Sequence, residues 1–338
     1  MNKNNFDSVR VGLAIIVVFA HIAALTEIDE FKMFQKIFNS DFAVKGFFAI
    51  SGFLVAQSFL SSDGIKDYLE KRIRRIYPAY FGAILLCVAI GGYASTLQLH
   101  EFMTSAVTMK YVLSNLVFLN FLQSTLPNTF ESNPIQAMNG SLWTIKVEVM
   151  LYFCIPPMIY LFRKFGSIKI FTLVFFMSTA WVFFFLYIFK GSIGAELSRQ
   201  FPGQLAYFAF GTFLAINQKV LSKLKLITIT SLILLFLINN TYLKILIDPI
   251  AYGAVVIYIA TLKFKIINLG KYGDISYGIY LFHFPIIQLL VLIGVFKLNL
   301  WVGVALTLSL TIFISLISWH LIEKRFLKRS SHYLMAAK

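Results

Sequence analysis

The chain has 338 residues, of which 59% are hydrophobic, 17% aromatic and only 13% charged. Soluble domains carry about 25% charged residues, so this composition excludes a soluble globular enzyme and indicates one integral membrane domain over 1–338, with no appended soluble domain. The net charge of +15 does not indicate a nucleic-acid partner, because Lys and Arg fall in short clusters between apolar runs, the positive-inside pattern of a multi-pass protein.

Apolar runs of spanning length occur near 9–26, 43–60, 78–95, 143–162, 168–189, 201–217, 225–241, 244–262, 273–296 and 301–321. The expected fold is therefore all-α, with about ten transmembrane helices. The first run continues into Thr26-Glu27-Ile28 without a small-residue cleavage site, so it reads as a span and not as a cleavable signal peptide. The basic clusters are Lys66/Lys71/Arg72/Arg74/Arg75, Arg163/Lys164/Lys169, Lys219/Lys223/Lys225, Lys263/Lys265/Lys271 and Lys324/Arg325/Lys328/Arg329. With ten spans and both termini inside, all five clusters are cytoplasmic. A further apolar run at 102–122 would send every later cluster outside if it crossed, so it is expected to be re-entrant or interfacial. The longest outer segment is then 96–142. Cys87 and Cys154 lie within apolar runs, lack metal-ligand spacing and read as small buried hydrophobes.

Six constellations carry possible chemistry. His21 lies eleven residues beyond Arg10 in the first run, about 16 Å along a helix. An ionisable ring at that depth marks a functional site, or else a ring packed by a bond to a neighbouring helix. Phe47–Phe53 (FFAISGF) holds Ser51-Gly52, a small pair suited to close helix contact. Arg72 and Arg75 are three apart and share a helix face. They suit a phosphate-rich ligand, and equally lipid headgroups or simple orientation. Tyr77-Pro78 follows, with proline placed to open the next helix. In Asn139–Tyr152, Trp143 suits the membrane interface, and Glu148 sits about 7 Å inside it, as a group that orients a hydroxyl or as a structural polar bond. Arg199 stands at an outer edge, as an anchor or as a contact to an acidic or sugar-rich substrate. His283 lies about 15 Å into the 273–296 run, near the depth of His21, with helix-breaking Pro285 beside it.

Together and in this order, FDSVRVGLAIIVVFAH, FFAISGF, KRIRRIYPAY, GSLWTIKVEVMLY, RQFPGQLAYFAFG and SYGIYLFHFPI resemble acyltransferase family 3 over residues 6 to about 325. The resemblance implies a ten-helix domain in the bacterial cytoplasmic membrane that takes an acyl group, usually acetyl, from cytoplasmic acyl-CoA. The acceptor it implies is a hydroxyl of a surface or secreted glycan. Arg10 and His21 match the family's arginine–histidine motif, His21 its essential histidine, and Arg72 and Arg75 its paired arginines, which engage the CoA donor. Ser51, Trp143, Glu148 and His283 match other recurrent positions. Glu323-Lys324-Arg325 departs from the family's Glu-Lys-Pro at the end of the last span.

The expectation that results is an O-acetyltransferase using acetyl-CoA and no metal, acting on a glycan or its lipid-linked precursor. His21, Glu148 and His283 are its catalytic candidates. Arg10, Arg72 and Arg75 bind the donor, and Ser51, Trp143 and Arg199 the acceptor. The competing reading is a transporter or flippase for a lipid-linked glycan, which would share the spans and the midplane polar groups.

Overall fold

The computed structural model describes residues 4–28, 30, 39–262 and 273–328. Lys263, Lys265, Lys271 and Arg329 of the basic clusters lie outside them. Among the described residues every regular element is a helix. Ten helices fall on the ten apolar runs. They are α1 (Phe6–Thr26), α2 (Ser40–Leu60), α3 (Ile65–Ala94), α6 (Trp143–Phe165), α7 (Ser167–Phe183), α9 (Phe201–Ile216), α10 (Leu224–Leu237), α11 (Thr241–Thr261), α12 (Ile275–Leu292) and α13 (Leu300–Ile317). Eight of these segments are long and apolar enough to cross a membrane, α7 and α13 being prolonged by wider turns to Phe189 and through Glu323. Helices α9 and α10 are shorter, at 16 and 14 residues.

The 102–122 run does not form a span. It breaks into α4 (Leu99–Thr104), α5 (Ala106–Leu116) and a 3₁₀ turn, Asn120–Leu122. The longest piece, 11 residues, rises only about 16 Å against a hydrocarbon core of about 30 Å. The hydroxyls of Tyr80 and Tyr77 donate to Asn115 O (2.9 Å) and Leu116 O (3.3 Å), tying the end of this segment to α3. Helix α8 (Gly191–Ser198) lies in the 190–200 link.

Polar residues set several helix starts. Asn240 accepts bonds from the backbone of Tyr242 and Leu243, and Asn299 from Trp301 and Val302, so both satisfy amides that a helix N-terminus leaves open. One expectation fails here. Pro78 does not open a helix; α3 runs unbroken from Ile65 through Pro78 to Ala94. Proline removes only the bond to the carbonyl four residues back. That residue, Arg74, is exposed, so the freed carbonyl is not stranded in an apolar interior.

The helices group into two compact units, each assembled from distant parts of the chain. The first unit comprises residues up to 9, 41–70 and 147–268. Its helices α2 and α9 meet through glycine. A methyl carbon on Gly52 would lie 2.0 Å from Phe208 O, and one on Gly211 would lie 1.9 Å from Ala49 O. Only small residues let two backbones approach so closely, as FFAISGF suggested. The second unit comprises 10–40, 71–146 and 269–338. Its centre is α12, where every residue from Ile275 to Gln288 is buried.

Candidate active site

In the second unit, α12 is built around the defect that Pro285 creates. Proline has no N–H to give to Leu281 O, one turn back. Asn139 Nδ2 fills that role at 2.9 Å. The rest of the 127–142 segment is stitched to the same helix. Asn133 donates to Gln288 Oε1 (2.8 Å), and Gln288 Nε2 donates to Ile135 O (2.6 Å) and Ala137 O (2.7 Å). The Ser141 hydroxyl donates to Tyr280 O (3.3 Å), and the Thr144 hydroxyl to the Tyr280 hydroxyl (2.8 Å). This buried amide and hydroxyl network fixes the backbone on both sides of His283.

The two histidines at matched depth meet. His21 Nδ1 lies 2.7 Å from His283 Nε2, with the rings nearly parallel at 14° and 5.0 Å between centroids. His283 Nδ1 lies 2.9 Å from Ile279 O. A carbonyl can only accept, so His283 Nδ1 must carry a proton. In a neutral ring His283 Nε2 is then an acceptor, and His21 Nδ1 must donate to it. The remaining nitrogen, His21 Nε2, therefore carries a lone pair. It has no hydrogen-bond partner among the described residues. His283 is fully enclosed, whereas His21 is partly accessible. Phe284 stands edge-on to His21 at 5.1 Å. Gly140 lies against Phe284, whose ring a methyl carbon there would approach to 2.7 Å. A loop glycine thus leaves room for the ring that walls the histidine pair.

The start of α12, 199 residues beyond Arg75, supplies Asp274, which neither the sequence motifs nor their spacing single out. The guanidiniums of Arg10 and Arg75 both donate to Asp274 Oδ2, and the Ser276 hydroxyl donates to Oδ1 at 2.6 Å. Arg75 also donates to Glu323 Oε2 at 2.8 Å, and Ser318 to Glu323 Oε1 at 3.0 Å. The Arg75 guanidinium stands 5.1 Å from the Tyr277 ring and 5.9 Å from the Trp319 ring. Burial works to raise the Asp274 carboxyl, but Arg10, Arg75 and Ser276 outweigh it and hold it well below the usual carboxylate range. Gly273, at φ +94°, sits where any methyl carbon would meet the Trp319 indole at 2.0 Å, so glycine is required there both for its backbone and for the space. Arg72 lies one turn before Arg75 on α3.

The first unit holds a separate cluster. Glu148 Oε1 accepts from the Tyr152 hydroxyl at 2.6 Å and from Ser51 Oγ at 3.1 Å. The Tyr68 hydroxyl donates to Tyr152 O at 2.8 Å and steadies that turn of α6. Two residues singled out in different motifs, Ser51 and Glu148, thus form one hydrogen-bonded group. Trp143 is the first residue of α6. Arg199 is exposed and pairs with Glu196 one turn away. Among the described residues, no group of three His, Cys, Asp or Glu side chains could hold a metal ion.

Comparison with known proteins accounts for nearly the whole chain. The family model of the acyltransferase domain matches residues 3–320. An O-acetyl transferase of Shigella phage Sf6 is 30% identical over 345 residues, covering 98% of each chain. Nodulation protein 10 of Rhizobium leguminosarum bv. viciae is 27% identical over 362 residues, covering 97% of this chain and 94% of its own. No solved structure matches significantly. With its apolar helices and this match from end to end, the chain is a multi-pass membrane acyltransferase and belongs to acyltransferase family 3.

Proposed function

We propose that the protein is an O-acetyltransferase that moves an acetyl group from cytoplasmic acetyl-CoA to a hydroxyl of a surface or secreted glycan, or of its lipid-linked precursor. The observation that carries this reading is the hydrogen-bonded pair His21–His283, which leaves His21 Nε2 as a lone pair on a partly accessible ring. Nε2 takes the proton of the acceptor hydroxyl as its oxygen attacks the thioester carbonyl. The carbon–sulfur bond then breaks, and the CoA thiolate recovers that proton from Nε2. The products are the acetyl ester and free CoA. The same nitrogen is the one that would carry acetyl in a two-step route. Throughout, His283 holds His21 in one tautomer and accepts its Nδ1–H.

Arg10, Arg72 and Arg75 take the phosphates of CoA in this reading. The bonds from Arg10 and Arg75 to Asp274 and Glu323 aim these side chains. Ser51 and Glu148 orient the acceptor, which also meets Trp143 and Arg199. The topology has both termini cytoplasmic in a cell membrane. A histidine near the midplane is reachable by a cytoplasmic donor and an outward-facing acceptor without carrying CoA across. The acyltransferase match favours this over the transporter, and the name of the phage relative favours transfer of acetyl to oxygen.

The test is transfer of labelled acetyl from acetyl-CoA into glycan, in membranes of the source organism with and without the protein. Label that appears only with the protein and is released by mild alkali supports the reading. No label above the control, with glycan present, refutes the acetyl-CoA and glycan assignment.

A further inference from the structure

The first unit carries a second polar group that the reaction described above does not use. It is built by α2, α9 and α11, and the topology expected from the sequence starts all three on the outer side. Lys45 Nζ lies 2.5 Å from Asp41 Oδ2, 5.3 Å from the centre of the Tyr207 ring and 6.0 Å from that of Tyr252. The two tyrosine rings are 6.3 Å apart, and Phe42 stands edge-on to Tyr252 at 5.0 Å. Asp248 is four residues before Tyr252 on α11 and so shares its face. Its Oδ1 is buried and has no hydrogen-bond partner among the described residues. Counting from the helix starts, Lys45 lies about 8 Å along its helix, Tyr207 about 9 Å and Asp248 about 10 Å.

Lys45 and Asp248 are ionisable groups inside spanning helices, which are costly and mark sites by default. Ion pairing accounts for Lys45 with Asp41. It does not account for Asp248 Oδ1, a buried acceptor that still lacks a donor. The chemistry of the cluster selects what would supply one. A cationic ligand is disfavoured, because Lys45 already occupies the cation position over both tyrosine rings. An anionic ligand would bring its charge against Asp41 and Asp248, whose carboxylates already face Lys45 and, one turn back on α11, Lys244. A neutral, hydroxyl-rich ring fits: its hydroxyls donate to Asp248 Oδ1, Lys45 donates to its oxygens, and its C–H face lies on an aromatic ring. We propose that Asp41, Lys45, Tyr207, Asp248 and Tyr252 form a subsite for a neutral sugar unit of the acceptor, distinct from the reacting hydroxyl. This rests on the glycan reading above.

The test is binding, so that it does not depend on turnover. Saturation-transfer NMR is run on the purified full-length protein with a panel of methyl hexosides and methyl N-acetylhexosaminides. The expected result is saturation of at least one neutral sugar by the wild type and by His21→Ala. Asp248→Ala and Tyr252→Leu should each weaken it about tenfold, the scale of one lost polar or stacking contact. Lys45→Met at equal thermal stability serves as the second variant and should also weaken it. Failure of the wild type to saturate any sugar overturns the subsite, as does equal saturation by wild type and all three variants. Acetyl transfer that fails while the sugar still binds would count against the catalytic reading and not against this one.

Discussion

Replacing His283 separates a histidine that holds its partner from one that merely fills space. Two variants are needed, His283→Gln and His283→Leu. His283 is fully enclosed, and both replacements are close to it in size. Leucine removes the acceptor that His21 Nδ1–H meets at 2.7 Å. The proton is then free to move to Nε2, the nitrogen that has to act as base. General-base assistance is worth about 10²–10⁴ in rate, or about 2.7–5.4 kcal/mol at 1.36 kcal/mol per tenfold. Loss of the tautomer in a serine-protease triad costs about 10⁴. His283→Leu is therefore expected to lower kcat by about 10²–10⁴. Glutamine offers an amide oxygen to the same Nδ1–H, so its loss should be confined to geometry, about tenfold. The assay is the initial rate of labelled acetyl transfer at saturating acetyl-CoA, with protein abundance and melting temperature matched. The reasoning is refuted if the leucine variant is as active as wild type, or if glutamine is as damaging as leucine.

Three further outcomes follow from the packing. Asp274→Asn leaves the guanidiniums of Arg10 and Arg75 without their shared anion, and breaking a buried pair costs about 3–5 kcal/mol; the melting temperature should fall clearly. Because the folded carboxyl is depressed, the stability it contributes is present above its unfolded value of about 3.9 and is lost only as pH falls through the depressed value. The difference in melting temperature between wild type and Asp274→Asn should therefore stay constant from pH 8 to 5. Asn139→Leu strands Leu281 O at the Pro285 gap and should cost about 1–3 kcal/mol in denaturation of the detergent-solubilised protein; no change would mean that the carbonyl finds another donor. Gly211→Val forces α2 and α9 apart, because even a first carbon would lie 1.9 Å from Ala49 O; membrane abundance should drop, and a normally abundant, normally melting variant would contradict the close crossing.

The elements were legible wherever one periodic signal sufficed. Ten apolar runs became ten helices, and counting residues from the run starts put His21 and His283 at one depth, where they meet. The broken 102–122 segment followed from charge placement, not from hydropathy. Pairings made by packing were not legible: nothing in two separate motifs says that Ser51 reaches Glu148, or that Asn139 answers for Pro285. Asp274, Lys45 and Asp248 belong to no motif, and Glu323 stands out in the sequence only as part of the departure at the last span, although the argument that selects His21 applies to all four. Each is an ionisable residue in or at the edge of an apolar run. Pro78 misled because its position beside an exposed turn makes the lost backbone bond tolerable.

The central claim is that His21 is the base in acetyl transfer, and comparing wild type with His21→Ala at equal abundance tests it most directly. Membranes of the source organism receive labelled acetyl-CoA, and label is counted in alkali-labile esters of the glycan. The account predicts label with the wild type and a loss of about 10²-fold or more with the variant. Equal label from both would contradict it, and would leave His21 a ring that only packs against His283.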